Sequence, residues 1–85
     1  MVGHTVFDSD GFFVGTPDLA YLAERVAIEY QGADHWRDRD VFEDDILRRE
    51  LFERAGWLVV LVTDRRLKQP QLFLRQVRDV LRSRG

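Results

Sequence analysis

Two short apolar runs, Thr5-Val6-Phe7 and Phe12-Phe13-Val14, flank the turn cluster Asp8-Ser9-Asp10-Gly11, which predicts a hairpin. Gly15-Thr16-Pro17 then breaks the pattern. Two further extended segments follow, Asp18 to Tyr21 and Val26 to Gln31, with Leu22-Ala23-Glu24-Arg25 as their turn, so the sheet is expected to begin as an antiparallel meander. From Asp40 to Ala55 the pattern turns helical, with Asp40 as N-cap and Glu43 three positions on in capping-box spacing. Asp44 with Arg48, Asp45 with Arg49, and Glu50 with Arg54 stand in i,i+4 spacing. Phe42 and Ile46, then Leu47, Leu51 and Ala55, predict a broad apolar stripe, and Gly56 is placed to end the helix. The run Trp57 to Val62 predicts a central strand buried on both faces. Pro70 opens a last helix in which Phe73, Val77, Val80 and Leu81 repeat at helical spacing. No repeat, linker or low-complexity segment interrupts this order.

The second hairpin has a geometric consequence. With the turn at residues 22–25, Tyr21 opposes Val26, and stepping back along the ladder sets Asp18 opposite Glu29. Pleat alternation sends Asp18, Ala20, Ala27, Glu29 and Gln31 to one face and Leu19, Tyr21, Val26, Ile28 and Tyr30 to the other. Directly opposed like charges destabilise a sheet unless something lies between them. Two carboxylates beside two alanines leave room for a hard cation of the Mg²⁺ or Mn²⁺ type, a Lewis acid suited to phosphodiester hydrolysis. From spacing alone, a pair of solvated carboxylates on a half-exposed hairpin is an equal alternative.

Composition bounds the partners. The 85 residues, 45% hydrophobic and 33% charged, describe one globular domain of a size that buries only about 60% of its unfolded surface. No apolar run is long enough to span a bilayer and no signal peptide is visible, so no membrane partner is expected. The absence of cysteine excludes thiolate metal sites and fits a reducing, cytoplasmic setting. A net charge of −2 conceals an asymmetry. Residues 1–64 carry six basic against fourteen acidic side chains, net −8, whereas residues 65–85 carry seven against one, net +6. That basic last quarter, with Arg65, Arg66 and Lys68 at its start, can neutralise phosphates. Its final arginines equally complement a helix dipole.

Thr16-Pro17-Asp18, followed by Ile28-Glu29-Tyr30-Gln31, resembles the PD-(D/E)XK nuclease motif on its hairpin. The continuation Gly32-Ala33-Asp34-His35, a charged helix and Ala55-Gly56-Trp57-Leu58-Val59-Val60 is similar to the branch related to very short patch repair endonucleases. The match runs from about Gly11 to the C-terminus. The resemblance implies an α+β restriction-endonuclease-like core, with a four- to five-stranded mixed sheet and then α-β-α. It also implies a metal-dependent endonuclease acting on DNA. Asp18 and Glu29 would hold Mg²⁺ or Mn²⁺, with the Tyr30 backbone carbonyl as a third ligand. Gln31 stands where the family usually has lysine; it can position water by hydrogen bonding but supplies no positive charge. His35 would transfer a proton or contact the scissile phosphate. Arg37 and Arg48 join Arg65, Arg66 and Lys68 as expected phosphate contacts, although Arg48 and Arg49 each have an acid at i−4. Trp36 and Trp57 are expected to pack rather than stack on bases.

The sequence enters the sheet almost at Met1, so the family's usual helix before the first strand is not expected in it, and either the chain is a truncated or minimal form or a second subunit supplies the cover. Uncovered apolar surface would then favour a homodimer. Two alternatives from other classes stand beside the enzyme: a catalytically inactive nucleic-acid- or protein-binding module on the same fold, and a small homo-oligomerising interaction domain.

Overall fold

The computed structural model describes residues 1–31 and 39–85, excepting the side chains of residues 39–42. The chain is a small α+β fold, in which a mixed sheet is followed by helices. Strands β1 (Val6–Phe7) and β2 (Phe13–Gly15) form one antiparallel hairpin. Asp8 closes its turn, its Oδ1 accepting from the backbone N–H groups of Asp10 and Phe12. Strands β3 (Leu19–Tyr21), β4 (Val26–Gln31) and β5 (Leu58–Thr63) form a separate three-stranded sheet, with β3 antiparallel and β5 parallel to the middle strand β4. Helix α1 (Arg39–Arg54) is the crossover between β4 and β5, and α2 (Asp64–Leu67) and α3 (Pro70–Arg84) complete the chain.

Three expectations are corrected. The expected four- to five-stranded mixed sheet, beginning as an antiparallel meander, is instead two sheets, because β2 does not continue onto β3. The fully buried Pro17, which has no N–H, lies between them, and the outer edge of β3 pairs with Met1: the terminal ammonium donates to the Ala20 carbonyl at 2.6 Å and Ala20 N–H donates back at 2.8 Å. Strand β5 is an edge strand rather than the central one. Its unbroken apolar run reflects cover on both faces, which says nothing about lateral neighbours. The third correction concerns α1. Ile46, Leu47 and Leu51 are exposed, and the residue that anchors the helix is Phe52, with no exposed surface. Asp40 lies inside the first turn of α1 rather than capping it.

The core has two layers. On one face of the sheet, Ala20, Ala27 and Val59 pack with Val6 and Val14 of the hairpin, Trp57 and Phe52. On the other, Val26, Ile28, Val60 and Val62 pack against Val77, with Phe73, Val80 and Leu81 of α3 at its margin. The pleat alternation read from the sequence therefore holds along β4. Gly15 permits the closest approach: a Cβ there would lie 3.1 Å from the Phe52 ring and 3.3 Å from Arg48 Nε. Gly56, at φ 89°, ends α1 in a Schellman turn, with Trp57 N–H donating to Phe52 O and Gly56 N–H to Glu53 O. Among the described residues no helix is long and apolar enough to cross a membrane.

Phe52 joins helix, hairpin and sheet, so its truncation should leave a cavity that none of the three can collapse to fill. Phe52→Ala is expected to lower unfolding free energy by about 3 kcal/mol, measured by urea denaturation; a loss below about 1 kcal/mol would contradict this packing.

Candidate functional site

Beyond Ile28, the α1-facing side of β4 changes from alanine to polar residues, and a cleft of about 410 Å³ opens between the strand and the helix. Asp18, Glu29 and Gln31 line it from the sheet, Thr16 from the segment before Asp18, and Asp45, Arg48 and Arg49 from α1. The register pairs Tyr21 with Val26, Ala20 with Ala27 and Leu19 with Ile28, one step short of the Asp18 and Glu29 pair counted from sequence, and both of those acids line the cleft. The strand itself stops at Leu19. Asp18 is fixed beyond it by its Oδ2, which accepts the Tyr30 backbone N–H at 2.8 Å.

Glu29 is the most constrained acid of the cleft. Its side chain is 17% exposed, and Arg48 Nη2 lies 2.7 Å from its Oε1. That contact is an ion pair without hydrogen-bond direction, which leaves Oε1 buried and without a directed donor. Burial pushes the Glu29 carboxyl above its ordinary range; Arg48 opposes the shift, and the negative charges of Asp18 and Asp45 add to it. Gln31 is 9% exposed. Its Nε2 donates to Asp45 Oδ2 over a long 3.4 Å, and its buried Oε1 has no partner among the described residues. An amide oxygen without a partner in such a place costs free energy unless a ligand or water satisfies it.

Arg48 departs from expectation. The Asp44 to Arg48 and Glu50 to Arg54 pairs do not form among the described residues, and Arg49 turns forward to Glu53 at 3.2 Å. Arg48 instead turns to the sheet. Its Nη2 also donates to the Thr16 carbonyl at 3.0 Å, and its guanidinium carbon sits 5.7 Å from the centre of the Phe52 ring. Residues 45, 48 and 52 thus form the sheet-facing stripe of α1, polar over the cleft and apolar over the core. Spacing from Phe52 could have found Arg48; the apolar pattern of Ile46, Leu47 and Leu51 pointed elsewhere.

The other expected phosphate contacts divide. Arg65, Arg66 and Lys68 do not line the cleft: they occupy α2 and the position after it, and Arg66 Nη1 is bound to the Leu61 carbonyl at 2.7 Å. Helix α3, with Arg75, Arg78 and Arg82, packs on the opposite face of the sheet. Arg84 at its end donates to the Glu24 and Gly56 carbonyls. The Tyr30 side chain leaves the ladder toward Asp64, to which its hydroxyl donates, and this bond raises its phenol pKa. His35, Trp36 and Arg37 lie outside the described residues. Trp57 is buried, as expected, with His4 beside it at a ring separation of 6.4 Å.

Among the described residues no cluster of three or more His, Cys, Asp or Glu is placed to hold a metal ion, although Asp18, Glu29 and Asp45 all line the cleft. No family model matches the chain, and no curated protein or solved structure matches it significantly.

Because the folded pKa of Glu29 is raised, its protonated form is the one folding favours. That contribution is present below the unfolded value near 4.5 and is lost as pH rises through the higher folded value. In EDTA the melting temperature of the native chain relative to Glu29→Gln should therefore rise as pH falls from neutral toward 4.5. A difference that stays flat or shrinks over this range would contradict the assigned shift.

Proposed function

We propose that the protein is a restriction-endonuclease-like, Mg²⁺- or Mn²⁺-dependent endodeoxyribonuclease. The observation that carries this reading is the shared cleft: Asp18 and Glu29 line it together, beside a buried Gln31 whose Oε1 is unpartnered among the described residues. These donors fit the ion. All are hard oxygens, and Mg²⁺ is commonly held through one or two carboxylates while keeping several waters. Asp18 and Glu29 would hold it, with the Tyr30 carbonyl as a further ligand. When bound, the ion supplies Lewis-acid polarisation of a phosphate and a more acidic water. The chain's own residues do the rest. Tyr30 N–H fixes the Asp18 carboxylate, Arg48 holds one oxygen of Glu29, and Gln31 offers an acceptor for a water proton. His35 is retained as the proton-transfer or phosphate-contacting group. DNA is the proposed polymer, with nicking or double-strand cleavage as its product, and the cytoplasm the proposed setting. A homodimer would cover apolar surface that stays exposed at Phe7, Phe12 and Phe13.

One observation favours a second reading. The carboxylate of Glu29 already has a cationic partner in Arg48, as expected of a binding module on this fold that has lost catalysis.

Incubation of supercoiled and linear DNA with Mg²⁺ or Mn²⁺ separates the two. The enzyme reading expects metal-dependent nicking or cleavage that falls at least about 100-fold in Asp18→Ala and in Glu29→Ala. DNA that stays intact with every metal while still being bound would leave the binding module standing. Cleavage that persists in both variants would place the chemistry elsewhere.

A further inference from the structure

Phosphodiester hydrolysis builds negative charge on the phosphoryl oxygens and the leaving oxygen, and a fixed cation at that place lowers the barrier. Gln31, where a lysine would serve, carries no charge. The cleft nevertheless contains one cation held from several sides. Arg48 reaches in from α1, its Nη2 shared between Glu29 Oε1 and the Thr16 carbonyl, its Nε buried, and its guanidinium against the Phe52 ring. Gly15 leaves space for it where any Cβ would crowd Nε. Both protein contacts use Nη2. Nη1 has no partner among the described residues, although the side chain is 40% exposed. Arg49, the other arginine of the cleft, is turned toward Glu53.

We propose that Arg48 is the phosphate-binding cation of the cleft, supplying from the helix the positive charge that Gln31 lacks. The guanidinium is a fork: Nη2 anchors on the sheet and Nε is buried, while Nη1 remains for a phosphate oxygen, a division that a lysine ammonium achieves less well. The anchor keeps this charge beside Glu29, so a phosphate drawn to an ion on the two carboxylates meets Arg48 in the same cleft. The inference rests on the nuclease reading for its catalytic consequence, but not for phosphate binding itself.

Three readouts test it on the full chain, in Arg48→Gln and Arg48→Lys, with Arg75→Gln on the opposite face as a charge-matched control. A fluorescent DNA duplex is titrated in Ca²⁺, cleavage is followed in Mg²⁺, and Mn²⁺ affinity is measured by electron paramagnetic resonance, with thermal melts establishing that each variant is folded. Arg48→Gln should weaken duplex binding about ten-fold and lower kcat by a further 100-fold or more, while Mn²⁺ affinity holds or tightens because a competing cation has gone. Arg48→Lys should recover part of both losses, and Arg75→Gln should recover the native values of all three. Unchanged duplex binding in folded Arg48→Gln would overturn the proposal. So would a loss of Mn²⁺ affinity that accounts for the fall in cleavage, because Arg48 would then only orient Glu29. A native chain that fails to cleave, yet loses duplex affinity on Arg48→Gln, would sink the nuclease reading and leave the phosphate contact in place.

Discussion

Strand β4 is flanked on both sides, by β3 running against it and β5 running with it, and its first three residues are almost wholly removed from water. The parallel pairing with β5 requires a crossover, which α1 supplies, and α1 can dock only where β4 presents a surface for it. At Ala27 that surface is small and apolar, and Phe52 with the hairpin closes over it. Two residues later the same face carries Glu29, and the helix meets it with Arg48 rather than with an apolar side chain. The cleft is therefore a continuation of the core in which the packing partners have become charged. Glu29 is desolvated because its strand is central, and Arg48 is ordered because Phe52, one helical turn on, is locked in the core.

This arrangement carries a cost. A half-buried carboxylate with two acids nearby and one guanidinium against it is not the most stable filling for such a space. The buried Gln31 amide oxygen, without a partner among the described residues, adds to the imbalance. Polar groups left unsatisfied in one cleft, while the rest of the core is closed, are the pattern expected where a site is kept ready for a ligand. The basic residues do not gather around the cleft to the same degree. Arg66 and Arg84 are engaged with backbone carbonyls, and the remaining arginines of α3 lie across the sheet, so among the described residues Arg48 is the arginine held against the Glu29 carboxylate of the cleft.

Local pattern made the hairpin of β3 and β4 legible to within one residue, β3 starting at Leu19 rather than Asp18. Val26 to Gln31 is the strand as read, and the two-residue period correctly separated Glu29 and Gln31 from Ile28. The glycine that ends α1 and the proline that opens α3 were equally local signals. What failed was long-range. Nothing in Gly15-Thr16-Pro17 shows that Met1 takes the edge of β3, so the meander appeared continuous. Cover on both faces made β5 appear central when it is lateral. Nearest-neighbour spacing assigned Arg48 to Asp44, yet a partly buried carboxylate across the interface attracts a guanidinium more strongly than a solvated acid one turn away. The apolar stripe of α1 was misplaced for the same reason, since its sheet-facing side had to be polar over the cleft.

The central claim is that Asp18 and Glu29 form one cation site. Paramagnetic broadening by Mn²⁺ tests it most directly, by adding substoichiometric metal to isotope-labelled protein and following its backbone amide signals. The account predicts saturable broadening that begins at Asp18, Glu29 and Tyr30, spreads to Gln31 and Arg48, and disappears in Asp18→Ala. Broadening centred elsewhere, or none at millimolar Mn²⁺, would contradict it.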